Sequence, residues 1–325
     1  MSKINYLLIG YGYWGPNVAR NINKCNLSNL KIVIDNSINS IKKAKKNNVS
    51  EAYLNNIKQL DTERMKDIDV IVVTTPPSSH YKIINTLAKY KKTFLIAKPL
   101  CTSIKEVEKI EKLIKKYNIE IFTDETFVYS NKIKAIKEII NSKKFGNLQY
   151  VSSVRSNLGL IQKDQNVIWD LAPHDLSIIS FITGKYPKSG NALSSNSLNN
   201  IKSKDNISYI EFKYEDNLYL YLNVNWISPE KIRYMVFSGT KQTLVYDDNK
   251  KYHSLTLYNQ EISYTNNSYT YKKDSGTKIK YKLNEPLYDE IHELSNYLTT
   301  NKSKPITTFE NSKKNIIALA NLKYI

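Results

Sequence analysis

The chain has 325 residues, 41% of them apolar, 24% charged and 11% aromatic, an ordinary globular composition that excludes collagen, coiled coil and wholesale disorder. At that length one hydrophobic core rarely suffices, so two domains are expected. The formal charge of +18 points toward a polyanionic partner, yet only four of the 48 basic residues are arginine (Arg20, Arg64, Arg155, Arg233). Arginine reads guanine edges and clamps phosphates with two prongs. Its scarcity, with no helix-turn-helix, zinc-finger or RNA-binding signature, makes the lysines a solvated surface, and no nucleic-acid partner is expected.

Cys25 and Cys101 stand far apart and form no C-x-x-C pair, so neither a disulfide framework nor a metal site is expected. The opening MSKINYLLIG carries too short an apolar run for a signal peptide, and no later run reaches the ~18 apolar residues of a spanning helix. The expectation is a cytoplasmic chain with no membrane partner.

In chain order, YLLIG (6–10), LKIVID (30–35), DVIVVTT (69–75), TFLIA (93–97) and IEIFT (119–123) read as short, β-branched buried strands. Helical patterns separate them. In SIKEVEKIEKLIKKY (103–117), Ile104, Val107, Ile110, Leu113 and Ile114 share one face and Ser103 can cap the start. Strands alternating with crossover helices predict a Rossmann-type, doubly wound parallel sheet.

One further helix is expected around Ile133, Ile136, Ile139 and Ile140, after which the pattern changes. QYVSSVRSNL, NISYIEFKY, LYLYLNVNW, KIRYMVFSG, QTLVYDD, HSLTLY and SYTYKK read as strands in close succession, with turn signals at Glu215-Asp216-Asn217, Ser238-Gly239-Thr240 and Asp247-Asp248-Asn249. This predicts a C-terminal α/β domain with a large, mostly antiparallel open sheet. Its tyrosines mark either plain surface strands or a face used to associate. Two helices, Glu285 to Thr299 and Glu310 to Lys323, close the chain. The expected division is 1–122 and 123–325, with the C-terminal helix packing back on the first domain.

Strand 6–10 runs into Gly10-Tyr11-Gly12-Tyr13-Trp14-Gly15, a G-x-G-x-x-G between a strand and a helical pattern. Such glycines allow a tight turn and close approach of backbone N–H groups to a pyrophosphate at the positive end of the helix. Asp35 ends the second strand twenty residues later, placed for the adenosine ribose hydroxyls, and its charge repels a 2′-phosphate. NAD is therefore expected over NADP. Tyr13 and Trp14 either pack around the cofactor or anchor the loop.

Lys98, in Ala97-Lys98-Pro99-Leu100, follows another parallel strand, where it points toward cofactor and substrate or is one solvated lysine among many. In Trp169-Asp170-Leu171-Ala172-Pro173-His174, Asp170 and His174 stand four apart and project from one face of a helix, with Pro173 expected in its first turn. An imidazole beside a carboxylate is a natural general base near neutral pH. The plainer reading makes Asp170 an N-cap and His174 a packing residue. Arg155 and Asn157 lie on or just after the first strand of the second domain. Arg155 either clamps a substrate carboxylate or diphosphate, with Asn157 offered to sugar hydroxyls, or pairs with a carboxylate such as Asp164 to hold a loop.

GYGYWGPN (10–17), TPPSSH (75–80), AKPL (97–100), TFVY (126–129), RSNLG (155–159) and WDLAPHDLS (169–177) occur in an order and spacing that resemble the Gfo/Idh/MocA oxidoreductases, over nearly the whole chain. The resemblance looks closest to the branch acting at C3 of nucleotide-linked N-acetylhexosamines or their uronates. It implies that Lys98 contacts the nicotinamide ribose and the reacting hydroxyl, that Asp170 and His174 supply acid/base chemistry, and that Thr75, Pro76 and His80 join the cofactor site.

The implied function is NAD-dependent oxidation of a sugar hydroxyl, serving surface-polysaccharide synthesis, by a homodimer or homotetramer assembled through the C-terminal sheet. Open alternatives are 3-ketosugar reduction, cyclitol oxidation of the inositol type, and binding of NAD and a sugar nucleotide without turnover. Two departures stand out: the glutamate of E-K-P is Ala97, and the usual G-H-T-F reads Asp124-Glu125-Thr126-Phe127. Retained chemistry with altered support or substrate fit is expected.

Overall fold

The computed structural model describes residues 3–159, 161–162, 164–197, 205–259, 261–265, 267–272 and 274–325. The chain divides into two compact units, residues 1–129 with 285–316, and residues 130–284 with 317–325. The first break falls at Tyr129/Ser130, beyond the expected 122, and the first unit takes in a C-terminal segment.

In the first unit the chain runs β1 (Ile4–Ile9), α1 (Gly15–Lys24), β2 (Ser28–Ile34), α2 (Ile38–Lys46), β3 (Ala52–Leu54), α3 (Thr62–Lys66), β4 (Val70–Val73), α4 (Pro77–Leu87), β5 (Thr93–Ala97), α5 (Ile104–Tyr117) and β6 (Ile121–Asp124). The strands form one sheet in the order β3-β2-β1-β4-β5-β6, parallel throughout. The order reverses between β1 and β4, the switch point beyond whose carboxyl ends ligands bind in such sheets.

All four residues of β4 are buried, as a strand covered by helices on both faces requires. The three-residue β3, with no fully buried residue, carries too little apolar signal to be seen in sequence. In α5 the Ser103 hydroxyl accepts from Glu106 N–H, and Val107, Ile110 and Leu113 are buried, the expected cap and face.

The second unit opens with α6 (Asn131–Ile140), β7 (Leu148–Ser156) and α7 (Val167–Thr183), followed by β8 (Ser189–Ser195), β9 (Ile207–Lys213) and β10 (Tyr219–Asn225). Then come β11 (Ile232–Gly239), β12 (Gln242–Asp247), β13 (Leu255–Asn259), a separate hairpin of β14 (Glu261–Thr265) and β15 (Ser268–Lys272), and β16 (Thr277–Lys278). The β9–β10 turn has Asp216 and Asn217 at positive φ, a conformation these two residue types tolerate.

The large sheet is mostly antiparallel, with β7 and β10 parallel. α7 supplies the long crossover that a parallel pair needs. Leu220, Leu222, Val224, Ile210, Phe212 and Phe237 are buried, while Tyr150, Tyr209, Tyr221 and Tyr234 are exposed, so alternation gives the sheet one apolar and one tyrosine-rich face.

The chain ends with α8 (Pro286–Thr300), α9 (Phe309–Ala320) and β17 (Lys323–Tyr324), the last joining the second unit's sheet beside β8. α8 belongs to the first unit, where Leu287, Ile291 and Leu294 enter the core with Tyr6, Leu8, Val18 and Ile22. Glu285 holds Arg20 and Lys24 of α1 at 3.0 and 2.8 Å. Backbone at Thr307 and Thr308 pairs with Thr123 and Phe122, covering the β6 edge that would otherwise stay open. Among the described residues no helix is long and apolar enough to cross a membrane, and no cluster of three or more His, Cys, Asp and Glu could hold a metal ion. Cys25 and Cys101 are both buried free thiols.

Candidate active site

The glycine loop, Asp35, Thr75 and Lys98 all follow carboxyl ends of strands in the parallel sheet, on the edge where the switch point lies. The glycines differ in what they do. Gly10 sits at φ +100°, and its carbonyl accepts Thr74 Oγ1–H at 2.6 Å. A Cβ on Gly15 would stand 2.2 Å from that same carbonyl oxygen, whereas a Cβ on Gly12 would meet nothing within 4 Å. Gly10 and Gly15 thus make the turn, and Gly12 leaves the approach to its backbone clear, as a pyrophosphate needs.

Trp14 caps α1 without a side-chain hydrogen bond to it, so the helix start keeps its positive end for an anion. Asp35 accepts from Tyr11 N–H at 2.6 Å and Ser37 N–H at 2.7 Å, which fixes its carboxylate with lone pairs to spare for ribose hydroxyls. These residues fit a dinucleotide.

Tyr13 is 81% exposed. Trp14 instead turns inward and donates its indole N–H to Asp124. Pro76 is exposed at the start of α4, and the Thr75 hydroxyl is bonded to Ser79. His80 is fully buried, with its ring nitrogens on the carbonyls of Thr75 (2.7 Å) and Leu100 (3.1 Å). That ring therefore ties the β4 end to the segment that carries Lys98, a support not evident from sequence. Cys101 follows directly, its thiol pushed up to about 12 by burial.

Asp124 and Glu125 are buried, as is Glu290 of α8. Burial raises the Asp124 carboxyl above the usual range, against the pull of Trp14 N–H, Glu290 and the Lys98 charge. Burial also pushes Glu290 well up, reinforced by the Asp124 charge and its contact with that carboxyl. Asp124 was noted in sequence only as a departure from a motif; Glu290, 166 positions on, had no signal at all.

In the second unit α7 starts at Val167 with Asn166 as N-cap, its Oδ1 accepting from Trp169 N–H. Asp170 is therefore free of the capping role that the plainer reading gave it. Pro173 lies inside the helix, beyond the expected first turn, because the helix begins earlier than the Trp169-Asp170 stretch suggested. Asp170 and His174 are both half-buried. Asp170 accepts Trp226 Nε1–H at 2.9 Å and Gln165 Nε2–H at 3.5 Å, so an indole from the end of β10 orients the carboxylate. Trp226 had no functional signal in sequence.

Arg155 is buried on β7 and donates through Nε to Asp175 at 2.9 Å, and Asp175 also accepts from Ser153 at 2.8 Å. Arg155 thus forms an ion pair with Asp175, next to His174 in the chain. Asn157 is exposed just past β7, as are Leu158 and Gly159.

Two family models match: one described as an oxidoreductase family with an NAD-binding Rossmann fold over residues 4–124, and the Gfo/Idh/MocA C-terminal domain over residues 133–245. Among curated proteins the chain is similar to 2,7-anhydro-N-acetylneuraminate hydratase of Escherichia coli K12, at 21% identity over 79% of this chain and 71% of that one. Among solved structures it is similar to UDP-N-acetylglucosamine 3-dehydrogenase of Acidithiobacillus ferrooxidans (TM-score 0.79, 16% identity, 98% and 96% of the two chains). An oxidoreductase of Agrobacterium radiobacter in complex with NAD+, L-tartaric acid and magnesium aligns at a TM-score of 0.78 and 16% identity, over 98% and 94%.

Proposed function

The chain belongs to the Gfo/Idh/MocA family of oxidoreductases with an NAD-binding Rossmann domain, and from that premise we propose that it is an NAD-dependent dehydrogenase acting on C3 of a nucleotide-linked N-acetylhexosamine or its uronate. NAD, when bound, accepts the hydride. The chain's own work is alignment and proton handling, and holding reacting groups near contact supplies much of the rate in such reactions. Lys98, positioned at the carboxyl edge of β5, holds and polarises the hydroxyl. His174 takes its proton, and Asp170, held by the Trp226 indole, keeps the imidazole or the substrate oriented. Asn157 is assigned to the sugar.

The observation that carries the oxidoreductase reading is the placement of Lys98 just past the carboxyl end of β5, the strand next to β4, on the same sheet edge as the glycine turn and Asp35. The similarity to a UDP-N-acetylglucosamine 3-dehydrogenase supports the choice of sugar, and a role in surface-polysaccharide synthesis follows from that choice. The tyrosine-rich sheet face of the second unit is assigned to self-association as a homodimer or homotetramer, to be checked by analytical ultracentrifugation.

The test is NADH formation, followed at the nicotinamide absorbance band, with UDP-N-acetylglucosamine, its uronate and free inositol. Production with the nucleotide sugars is expected, alone or with a 2-oxo acid to recycle NADH. Production with inositol alone overturns the substrate while leaving the reaction class. Lys98→Ala and His174→Ala should each lower turnover by ~10² to 10⁴, the usual contribution of an acid/base group, with NAD binding retained.

A further inference from the structure

The buried carboxyl cluster of the first unit has no part in the chemistry above. The β5–β6 register sets Asp124 beside Ala97, the residue before Lys98. Asp124 receives the indole N–H of Trp14, and Glu290 comes down from α8 beside it, taking Glu125 N–H on Oε1 at 3.3 Å. The other Glu290 oxygen, Oε2, is buried and meets no donor among the described residues, although the carboxyl contacts that of Asp124. Two buried carboxyls in contact repel when both are ionised, and sharing a proton relieves that repulsion.

The other groups facing this pair are Glu125, Lys98, Tyr6 of β1 and Tyr129, with Glu293 facing Tyr129. Both phenols are raised by burial and stay neutral through the ordinary pH range. A pair that shares one proton keeps one negative charge, on the carboxyl that accepts the indole N–H of Trp14, the residue that caps α1.

We propose that Asp124 is a positioning residue for the dinucleotide: sharing one proton with Glu290, it grips the Trp14 indole and holds the Gly12–Trp14 turn and the start of α1 in the form that receives the pyrophosphate. A loop already ordered does not lose that freedom on binding, which is how preorganisation raises affinity. As pH climbs through the raised value of Glu290, the shared proton is given up, the two carboxylates repel, and the grip on Trp14 is disturbed. The inference rests on NAD binding and on neither the sugar nor the catalytic roles.

The experiment is calorimetric titration of the full chain with NAD at several pH values, for the wild type, Trp14→Phe, Asp124→Asn, their double variant and Glu290→Gln. Trp14 fluorescence, taken as the difference between wild type and Trp14→Phe, is followed in parallel. Trp14→Phe and Asp124→Asn should each weaken NAD binding about tenfold, the scale of one hydrogen bond to a charged group. The double variant should be no weaker than the worse single one, since both remove one interaction. Wild-type affinity and Trp14 emission should change together as pH rises, and Glu290→Gln should abolish that dependence.

Single-variant affinities within about twofold of wild type, losses that multiply in the double variant, or an unchanged pH profile in Glu290→Gln would each overturn the proposal. A purely structural role would lower melting temperature and leave these three readouts alone. Should Asp124→Asn not fold, Trp14→Phe and the isosteric Glu290→Gln decide the matter. A wild type that does not bind NAD overturns the dinucleotide reading and the proposal together, whereas equal affinities across the variants overturn the proposal only.

Discussion

Replacing Glu290 by Gln should make the protein more stable, and increasingly so as pH rises. Glu290 is 1% exposed, and burial with the Asp124 charge raises its pKa well above the usual 4.5. The folded state therefore holds a proton that the unfolded chain releases near its ordinary value. The favourable contribution is fully present below about pH 4.5 and is lost as pH climbs toward the raised value. One such proton gives a slope of about 1.4 kcal/mol per pH unit. Glutamine keeps the shape and an N–H to offer Asp124 but cannot ionise, so it does not suffer this loss.

The first unit comprises residues 1–129 and 285–316, and at that size each kcal/mol moves the melting temperature by roughly 2 to 4 °C. The gap between Glu290→Gln and wild type should then widen by about 3 to 6 °C per pH unit through the window between the two pKa values. Differential scanning calorimetry from mildly acidic to mildly alkaline pH measures it, and other titrating groups cancel to first order in the difference. Because Asp124 contributes to the elevation, an Asp124→Asn background should level the gap off at lower pH. A gap independent of pH would refute the shared proton and the reasoning built on it.

Gly12→Ala should leave the melting temperature near wild type, because its Cβ meets nothing within 4 Å, while abolishing NAD binding by calorimetry. Gly15→Ala, with its Cβ 2.2 Å from the Gly10 carbonyl oxygen, should lower the melting temperature itself. Asp175→Asn removes the buried counter-charge of Arg155 and should cost about 3 to 5 kcal/mol in urea denaturation, whereas a joint apolar replacement of Arg155 and Asp175 should recover much of it. Asp35→Ala should narrow the preference for NAD over NADP in competition titrations, because it removes the charge that repels a 2′-phosphate.

The carboxyl-edge residues were legible because each sits where local pattern and fold rule coincide. Gly10, Gly12 and Gly15 follow an apolar strand, Asp35 ends the next one, and Lys98 ends a third, so identifying the strands identified the edge. The i, i+4 spacing of Asp170 and His174 was likewise a local property of one helix, although its true start at Val167, and hence the depth of Pro173, depended on Asn166 winning the cap. The helices after residue 285 were readable as helices. That α8 completes the first unit's core was not, because Leu287, Ile291 and Leu294 would form an apolar stripe against any partner.

What periodicity and motif spacing determined was therefore the element types, the parallel sheet and its ligand edge. Only the tertiary structure decided which distant groups meet. His80 supports the Lys98 segment through Leu100, Trp226 aims Asp170, Arg155 is engaged by Asp175, and Glu290 meets Asp124. Each is a pairing between polar side chains far apart in the chain, and the requirement that buried polar and charged groups find partners selects them only after the backbone has brought them together.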